Sequence, residues 1–373
     1  MIPDVRALVD VEDVRAQVDS VLSGHVGELR SVLRAAGPDA EVLADAVTRM
    51  LSGGKRLRAA FCYWSWRAHG GRPGSPQAHT AIRVGAALEL FQAAALFHDD
   101  VMDASDTRRG LPAAHRAFAS LHDDWGLVGD AEQFGTSAAI LLGDLALVAS
   151  EQEFSGALAL APLPRATQAR TVFDLMRTEV TVGQYLDVLA QATPWGQDPD
   201  ADERRARTVI RAKSARYSVE HPIVLGAALA DADEEQLDAC RRIGLPLGEA
   251  FQLRDDLLGV FGDPRTTGKP AGDDLREGKR TVLAARAVRR ALLAGDAPAV
   301  EALRSRLGVR AMSEQEVADL AATIAATGAP EDVEELISVL SAEAFDRMEN
   351  RPWSEPARGQ LVALAHAAVD RRS

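Results

Sequence analysis

The chain has 373 residues, 47% of them hydrophobic and 26% charged, and a formal net charge of −13. These values describe a folded globular protein with a sizeable core rather than a disordered chain, and the negative balance argues against general affinity for nucleic acid or anionic membrane surfaces. Cys62 and Cys240 stand far apart in no metal-ligand spacing, which speaks against a disulfide framework or a zinc site and points to a reducing compartment.

The first residues, MIPDVRALVDVEDVRAQVDS, are acidic and lack the apolar run of a signal peptide. No stretch is expected to reach the roughly 20 apolar residues of a membrane span, so the expected location is the cytoplasm. Apolar positions recur every three or four residues in VRAQVDSVLSGHVGELRSVLRAAG (14–37), which predicts the first long helix. HGGRPGSPQ (69–77) reads as a loop, and HTAIRVGAALELFQAAALFHDD (79–100) as the helix after it. TVFDLMRTEVTVGQYLDVLAQ (171–191) predicts a further helix, closed by the loop TPWGQDPDAD (193–202). QLDACRRIGLPLGEAFQLRDDLLGVF (236–261) is again periodic, whereas GDPRTTGKPAGDDLREGK (262–279) shows no period and reads as a long functional loop. EDVEELISVLSAEAFDRMEN (331–350) is the last strongly periodic segment, ended by NRPWSEP (350–356). Alternating β-branched runs are missing and aromatics are only 5%. The expected fold is all-α. With no low-complexity linker or internal repeat, one large domain over 1–373 is expected, with C-terminal helices from about 297.

The long loop contains GDPRTTGKP, a near miss for a P-loop: five residues separate Gly262 from Gly268 where the motif has four, and Pro270 replaces Ser or Thr. With no strand before it, that reading is rejected.

The stretch LFHDDVMDASDTRRG (96–110) carries the chemistry. On a helix, Asp99 and Asp103 lie one turn apart with Asp100 about a quarter turn aside, giving an oxygen-rich negative patch. An isolated patch of this kind is usually a solvated face. Here it follows the apolar ELFQAAALF, and a second pair, Asp255 and Asp256, follows GEAFQL in the same way. Two carboxylate clusters at the ends of buried helical segments predict the walls of one pocket. Carboxylates without thiolates or a His pair suit Mg²⁺, which binds through one or two carboxylates plus substrate phosphates. SGGKRLR supplies Lys55, Arg56 and Arg58 for the remaining phosphate oxygens; DTRRG adds Arg108 and Arg109, RAKSAR adds Lys213, and the long loop adds Lys269 and Lys279.

In order and spacing, GGKRLR, HDDVMD with DTRRG, GQYLD, AKSA and FQLRDDLLGVFGD with TGKPAGDDLREGKRT resemble the trans-isoprenyl diphosphate synthases, or polyprenyl synthetases, over about Leu51 to Leu283. The resemblance implies the type I isoprenoid synthase fold, an all-helical bundle around a deep cavity, usually as a homodimer. It implies condensation of isopentenyl diphosphate with an allylic diphosphate (dimethylallyl, geranyl or farnesyl), with about three Mg²⁺ ions per site and Mn²⁺ as a possible substitute. It assigns Asp99 and Asp103, with Asp100 in support, to the ions on the allylic diphosphate, and Asp255 and Asp256 to a further ion. Arg108, Lys213 and Lys269 match positions that grip the allylic diphosphate; Lys55, Arg58, Arg109 and Gln92 match the isopentenyl diphosphate pocket. Gln184, Gln252 and Lys279 match positions lining the diphosphate sites or steadying the forming cation. One departure stands out: Gly259 occupies the place of a third Asp found in many relatives, and Asp263 is too far along to replace it as a direct ligand.

Product length is expected to depend on the turns before Asp99, where Ala94 and Ala95 are followed by Leu90 and Phe91. One turn rises about 5.4 Å, close to one isoprene unit, so two alanines leave room beyond C15 and predict a C20 product, geranylgeranyl diphosphate. Farnesyl or longer products are the alternatives. A type I terpene cyclase is a rival from another class, but its Asn-led second metal motif has no counterpart, since the only Asn is Asn350. A silent partner subunit is the other rival, kept open by Gly259.

Overall fold

Ala, Leu, Glu and Arg fill the periodic segments, and each of these is helical in the computed structural model, which describes residues 8–159, 161–262 and 272–370. In chain order the helices are α1 (Val14–Ala36), α2 (Glu41–Leu51), α3 (Leu57–Ala68), α4 (Pro76–Met102), α5 (Ala114–Asp124), α6 (Ala131–Leu158), α7 (Leu163–Ala192) and α8 (Pro199–Val209). A π-helical segment, Ile210–Glu220, leads into α9 (His221–Leu229) and α10 (Glu234–Phe261). Then come α11 (Asp273–Glu277), α12 (Val282–Ala294), α13 (Ala297–Arg306), α14 (Glu314–Ala326), α15 (Ala329–Glu349) and α16 (Ala357–Val369).

Local chemistry sets several of these starts. Ser75 accepts from the Ala78 N–H with Pro76 in the first turn, Asp130 caps α6, and Ser313 with Glu316 forms a capping box on α14. Two details depart from the sequence reading. A two-stranded ladder joins β1 (Thr107–Arg108) to β2 (Leu111–Pro112), too short to leave a strand pattern. Helix α11 lies inside the segment 262–279 that reads as a loop, because five residues are too few to show a period.

Contacts divide the chain into two compact units, each discontinuous in sequence: Met1–Phe173, His221–Arg241 and Pro352–Ala367 form the first, and Asp174–Glu220, Arg242–Arg351 and Ala368–Ser373 the second. In the first unit α4 packs against α6, α3 and α1, and α9 packs against α3. Trp64, Tyr63, Phe61, Phe97, Phe154 and Ile82 are buried in its core. The α3–α9 crossing is close because Gly226 has no side chain: a Cβ there would lie 2.1 Å from the Cys62 carbonyl oxygen. In the second unit α12 packs against α8 and α15.

By length and composition α4 and α6 are both apolar enough to cross a membrane, which corrects the expectation that no stretch approaches a span. Burial accounts for α4, whose apolar window is 72% buried in the protein; that of α6 is 44% buried. Ile140, Leu141 and Val148 lie among the exposed large side chains of α6.

Candidate active site

The buried helix α4 delivers the first acidic cluster at its C-terminal end. Helical geometry persists through Asp103, whose N–H donates to the Asp99 carbonyl at 2.8 Å, so the two side chains sit one turn apart as the spacing predicts. Asp100 is fully buried and Asp103 is 2% exposed, while Asp99 keeps an accessible edge. Carboxylates so withdrawn from water need a positive partner. Arg108 provides one: its Nε donates to Asp100 Oδ1 at 2.9 Å, and its Nη2 reaches both Asp100 and, at 3.4 Å, Asp99 Oδ2.

The β1–β2 hairpin aims this arginine. Arg109 and Gly110 form its two-residue turn with φ of +54° and +75°, and positive values at both positions are what a type I′ turn requires. Glycine accepts that conformation freely; Arg109 is held in it, its Nη1 donating to the carbonyls of Met50 (3.0 Å) and Ser52 (2.7 Å). Burial lowers the Arg109 pKa below the usual guanidinium range, and Arg56 lowers it further, with Arg108 and Arg58 adding to the effect and Glu89 opposing it. Arg109 thus stands in the positive field of three neighbouring guanidiniums, which favours an anion beside it.

Arg56 is held by ion pairs within the protein. It is 7% exposed and donates from Nε to Asp19 Oδ1 at 2.7 Å, with Nη1 3.6 Å from Glu89 Oε2. Gly54 makes room for it, since a Cβ there would lie 2.6 Å from Arg56 Nη1. Lys55 is exposed, and Arg58 and Gln92 are partly so.

In the second unit Lys213 sits on the π-helical segment, a conformation that is rare and concentrates at functional sites. Its Nζ donates to Asp187 Oδ2 at 2.6 Å. Gly183 lies against the same residue: a Cβ there would fall 2.4 Å from the Lys213 backbone nitrogen. Gly183, Gln184 and Asp187 all belong to VGQYLD, so one turn of α7 cradles the lysine. Sequence reasoning took Gln184 from this motif and missed Asp187, although their spacing of three residues on a helix was the available signal.

The second acidic cluster is on α10. Asp256 is 8% exposed and accepts from Gln252 Nε2 at 2.8 Å, which places Gln252 on a carboxylate. Burial raises the Asp256 carboxyl to about 7, with Asp274 and Asp255 contributing against Gln252 and Lys279. Asp255 is partly exposed. Lys279 Nζ lies 3.1 Å from Glu277 Oε2 and 3.6 Å from Asp274 Oδ1. Lys269 and Asp263 lie outside the described residues.

Along the last turns of α4 the partly exposed positions before Asp99 are Gln92, Ala95, Leu96 and His98, whereas Leu90 and Ala94 have no exposed surface and Phe91 is 4% exposed. The face that runs to the acidic cluster thus passes through Ala95. A residue the motifs did not single out, His115 on α5, is 5% exposed, and neither ring nitrogen has a hydrogen-bond partner. Burial lowers its pKa below the usual 6.5, helped by Arg116 and opposed by Asp100, Glu132 and Asp106.

The family model for polyprenyl synthetase matches residues 40–324. The chain belongs to the polyprenyl synthetase family. Among its relatives, this synthetase is 31% identical to a geranylgeranyl diphosphate synthase of Mycobacterium tuberculosis over 87% of the chain and 78% of that protein. It is 33% identical to a geranylfarnesyl diphosphate synthase of Aeropyrum pernix, over 64% of the chain and 68% of the relative. Among solved structures, a geranylgeranyl pyrophosphate synthase of Corynebacterium glutamicum, complexed with isoprenyl diphosphate and magnesium, superposes with a TM-score of 0.87 at 36% identity, covering 99% of this chain and 100% of that one. The all-α expectation and the choice of a prenyltransferase over a terpene cyclase both follow from these matches.

The donor chemistry of the synthetase fits Mg²⁺. Among the described residues no three His, Cys, Asp or Glu side chains converge closely enough to hold a metal alone. A hard ion that takes one or two carboxylates and completes its shell with phosphate oxygens and water has no need of such convergence. Both clusters present only oxygen, and α10 adds a cradle at Gly259, where a Cβ would meet the Asp274 carboxylate.

Proposed function

We propose that this synthetase joins isopentenyl diphosphate to an allylic diphosphate and releases C20 geranylgeranyl diphosphate. The observation that carries this reading is the pairing, within the first unit, of three crowded carboxylates with a set of mutually repelling arginines. Asp99 and Asp103, with Asp100 in support, would hold Mg²⁺ for the allylic diphosphate, and Asp255 and Asp256 would hold a further ion. Bound Mg²⁺, up to three ions, supplies charge stabilisation for the departing diphosphate.

The side chains divide the remaining work. Arg108, Lys213 and Lys269 grip the allylic diphosphate and stabilise the charge that gathers on its oxygens as the carbon–oxygen bond breaks and the electron pair leaves with the diphosphate. Asp187 steadies Lys213. Lys55, Arg58 and Arg109, with Gln92, hold isopentenyl diphosphate so that its double bond faces the allylic cation, and proximity of this kind contributes on the order of 7 kcal/mol. A proton lost from the new adduct passes to the released diphosphate, which spares the protein a dedicated base. Gln184, Gln252 and Lys279 line the diphosphate side of the site.

Ala95 and Phe91, rather than the wholly buried Ala94 and Leu90, mark the start of the tail path. The relatives' names span C20 and C25 products, so family membership alone does not set the length. The exposed apolar residues of α6 support a homodimer, with a second copy covering Ile140, Leu141 and Val148, and the location proposed from the sequence is the cytoplasm. The test is incubation with isopentenyl diphosphate, Mg²⁺ and each of the C5, C10 and C15 primers, with products resolved by length. A dominant C20 product supports the proposal; cyclised hydrocarbon or no condensation overturns it. Ala95→Phe is expected to shorten the product to C15, and an unchanged distribution removes Ala95 from the path.

A further inference from the structure

Glu89 lies in the buried middle of α4, between Leu88 and Leu90, neither of which has exposed surface, and is itself 4% exposed. A carboxylate so withdrawn from water needs positive partners, and the proposed reaction gives it no part. Three positive groups act on it. Oε1 accepts from the Ala59 N–H at 3.4 Å, and Ala59 is the third residue of α3, where unpaired N–H groups and the helix dipole favour an anion. Oε2 lies 3.6 Å from Arg56 Nη1. The same carboxylate acts on Arg109, against the repulsion of Arg56, Arg108 and Arg58.

Close packing brings these groups together. Gly85, one turn before Glu89, lets α3 lie against α4: a Cβ there would lie 2.9 Å from the Ala59 Cβ and 3.1 Å from the Ala59 Cα. Arg56 is the N-cap residue of α3, with φ of +54°, and donates to the Leu51 carbonyl at the end of α2 and to Asp19 on α1. Arg109 ties down the same connection, donating to the carbonyls of Met50 and Ser52. Two arginines thus strap the segment 52–56, and Glu89 is the buried anion that acts on both. Lys55 belongs to that segment and Arg58 to the first turn of α3, while Gln92 lies one turn beyond Glu89 on α4.

Resting on the proposed isopentenyl diphosphate pocket, we propose that Glu89 is a positioning residue for it: the carboxylate fixes Arg56 and the first turn of α3 against α4, and so holds Lys55, Arg58 and Arg109 in register with Gln92. Without it the guanidiniums would repel one another unopposed, and the turn that carries Arg58 would lose its anchor on α4. Glu89 acts through these side chains rather than on the substrate.

The test is steady-state kinetics of the full-length protein, with isopentenyl diphosphate and geranyl diphosphate varied in turn at saturating Mg²⁺, and a urea melt of every variant. Arg58→Gln identifies the pocket by raising KM for isopentenyl diphosphate. Glu89→Gln keeps an acceptor for the Ala59 N–H and loses the charge. It is expected to raise the same KM about tenfold, the size of one hydrogen bond to a charged group, while kcat and the KM for geranyl diphosphate move less than about twofold. Glu89→Asp withdraws the carboxylate by one methylene and is expected to fall between Glu89→Gln and wild type; it carries the same test where Glu89→Gln does not fold. Charge alone predicts the opposite sign, since removing an anion from beside a diphosphate site strengthens the positive field there. An unchanged or lower KM in the Glu89 variants, while Arg58→Gln raises it, overturns the proposal and leaves the pocket standing. A parallel loss in kcat and in both KM values assigns Glu89 to folding alone and equally overturns it. No rise in Arg58→Gln overturns the reading of the pocket itself.

Discussion

The two acidic clusters face the same problem and solve it differently. On α4 the carboxylates of Asp99, Asp100 and Asp103 belong to one motif, and a guanidinium from the neighbouring hairpin pairs with Asp100 and Asp99. On α10 Asp256 accepts from Gln252, burial raises its carboxyl to about 7, and the Asp274 carboxylate rests against Gly259. A buried carboxylate can be met by a fixed cation, as Arg108 meets Asp100, or can have its pKa raised by burial, as Asp256 does.

The largest effect that sharpens this contrast is on turnover. Asp99→Asn is expected to lower kcat about 10³-fold and Asp255→Asn about 10²-fold, measured as incorporation of labelled isopentenyl diphosphate at saturating Mg²⁺. Equal losses would erase the distinction. Next in size is stability without metal. Arg108→Met strands the buried Asp100 and is expected to cost about 3 kcal/mol in urea melts, with partial recovery on adding Mg²⁺ and pyrophosphate. Lys279→Met, at the second cluster, breaks longer and more accessible pairs and is expected to cost under about 1 kcal/mol.

Steric crowding should show the reverse asymmetry. Gly259→Ala forces its new methyl against Asp274 and is expected to destabilise by about 1–3 kcal/mol, detectable as a lower urea midpoint. No loss would mean that Asp274 moves aside freely. The smallest effect concerns pH near the first cluster. The folded pKa of His115 is below 6.5, so between that lowered value and 6.5 the unfolded chain binds more protons, and stability is lost as pH falls through 6.5. Burial drives this, helped by Arg116 and opposed by Asp100, Glu132 and Asp106. His115→Gln is expected to flatten melting temperature between pH 7.5 and 5.5; an unchanged slope would place the titration elsewhere.

Much of the site was legible because its chemistry is local. DDVMD on a helix, an arginine pair before glycine, and a lysine in RAKSAR each carry their meaning within a few residues. What escaped was the long-range pairing. Asp187 becomes meaningful only when α7 is laid beside the π-helical segment, and the pairing of Arg56 with Asp19 and Glu89 joins residues far apart in sequence. Ala94 and Ala95 differ by one position in sequence, yet a helix turns 100° between neighbours, and only packing says which faces the accessible side.

Composition and periodicity by themselves determined an all-helical chain, the two acidic motifs and most of the cations, because helix propensity and i to i+4 spacing are written in neighbouring residues. Only the tertiary structure decided who neutralises whom: Arg108 on Asp100, Asp187 on Lys213, and Asp274 in the space that Gly259 leaves. The reason is that the energy of a buried charge depends on what surrounds it, and most of those surroundings arrive from parts of the chain that no local pattern connects.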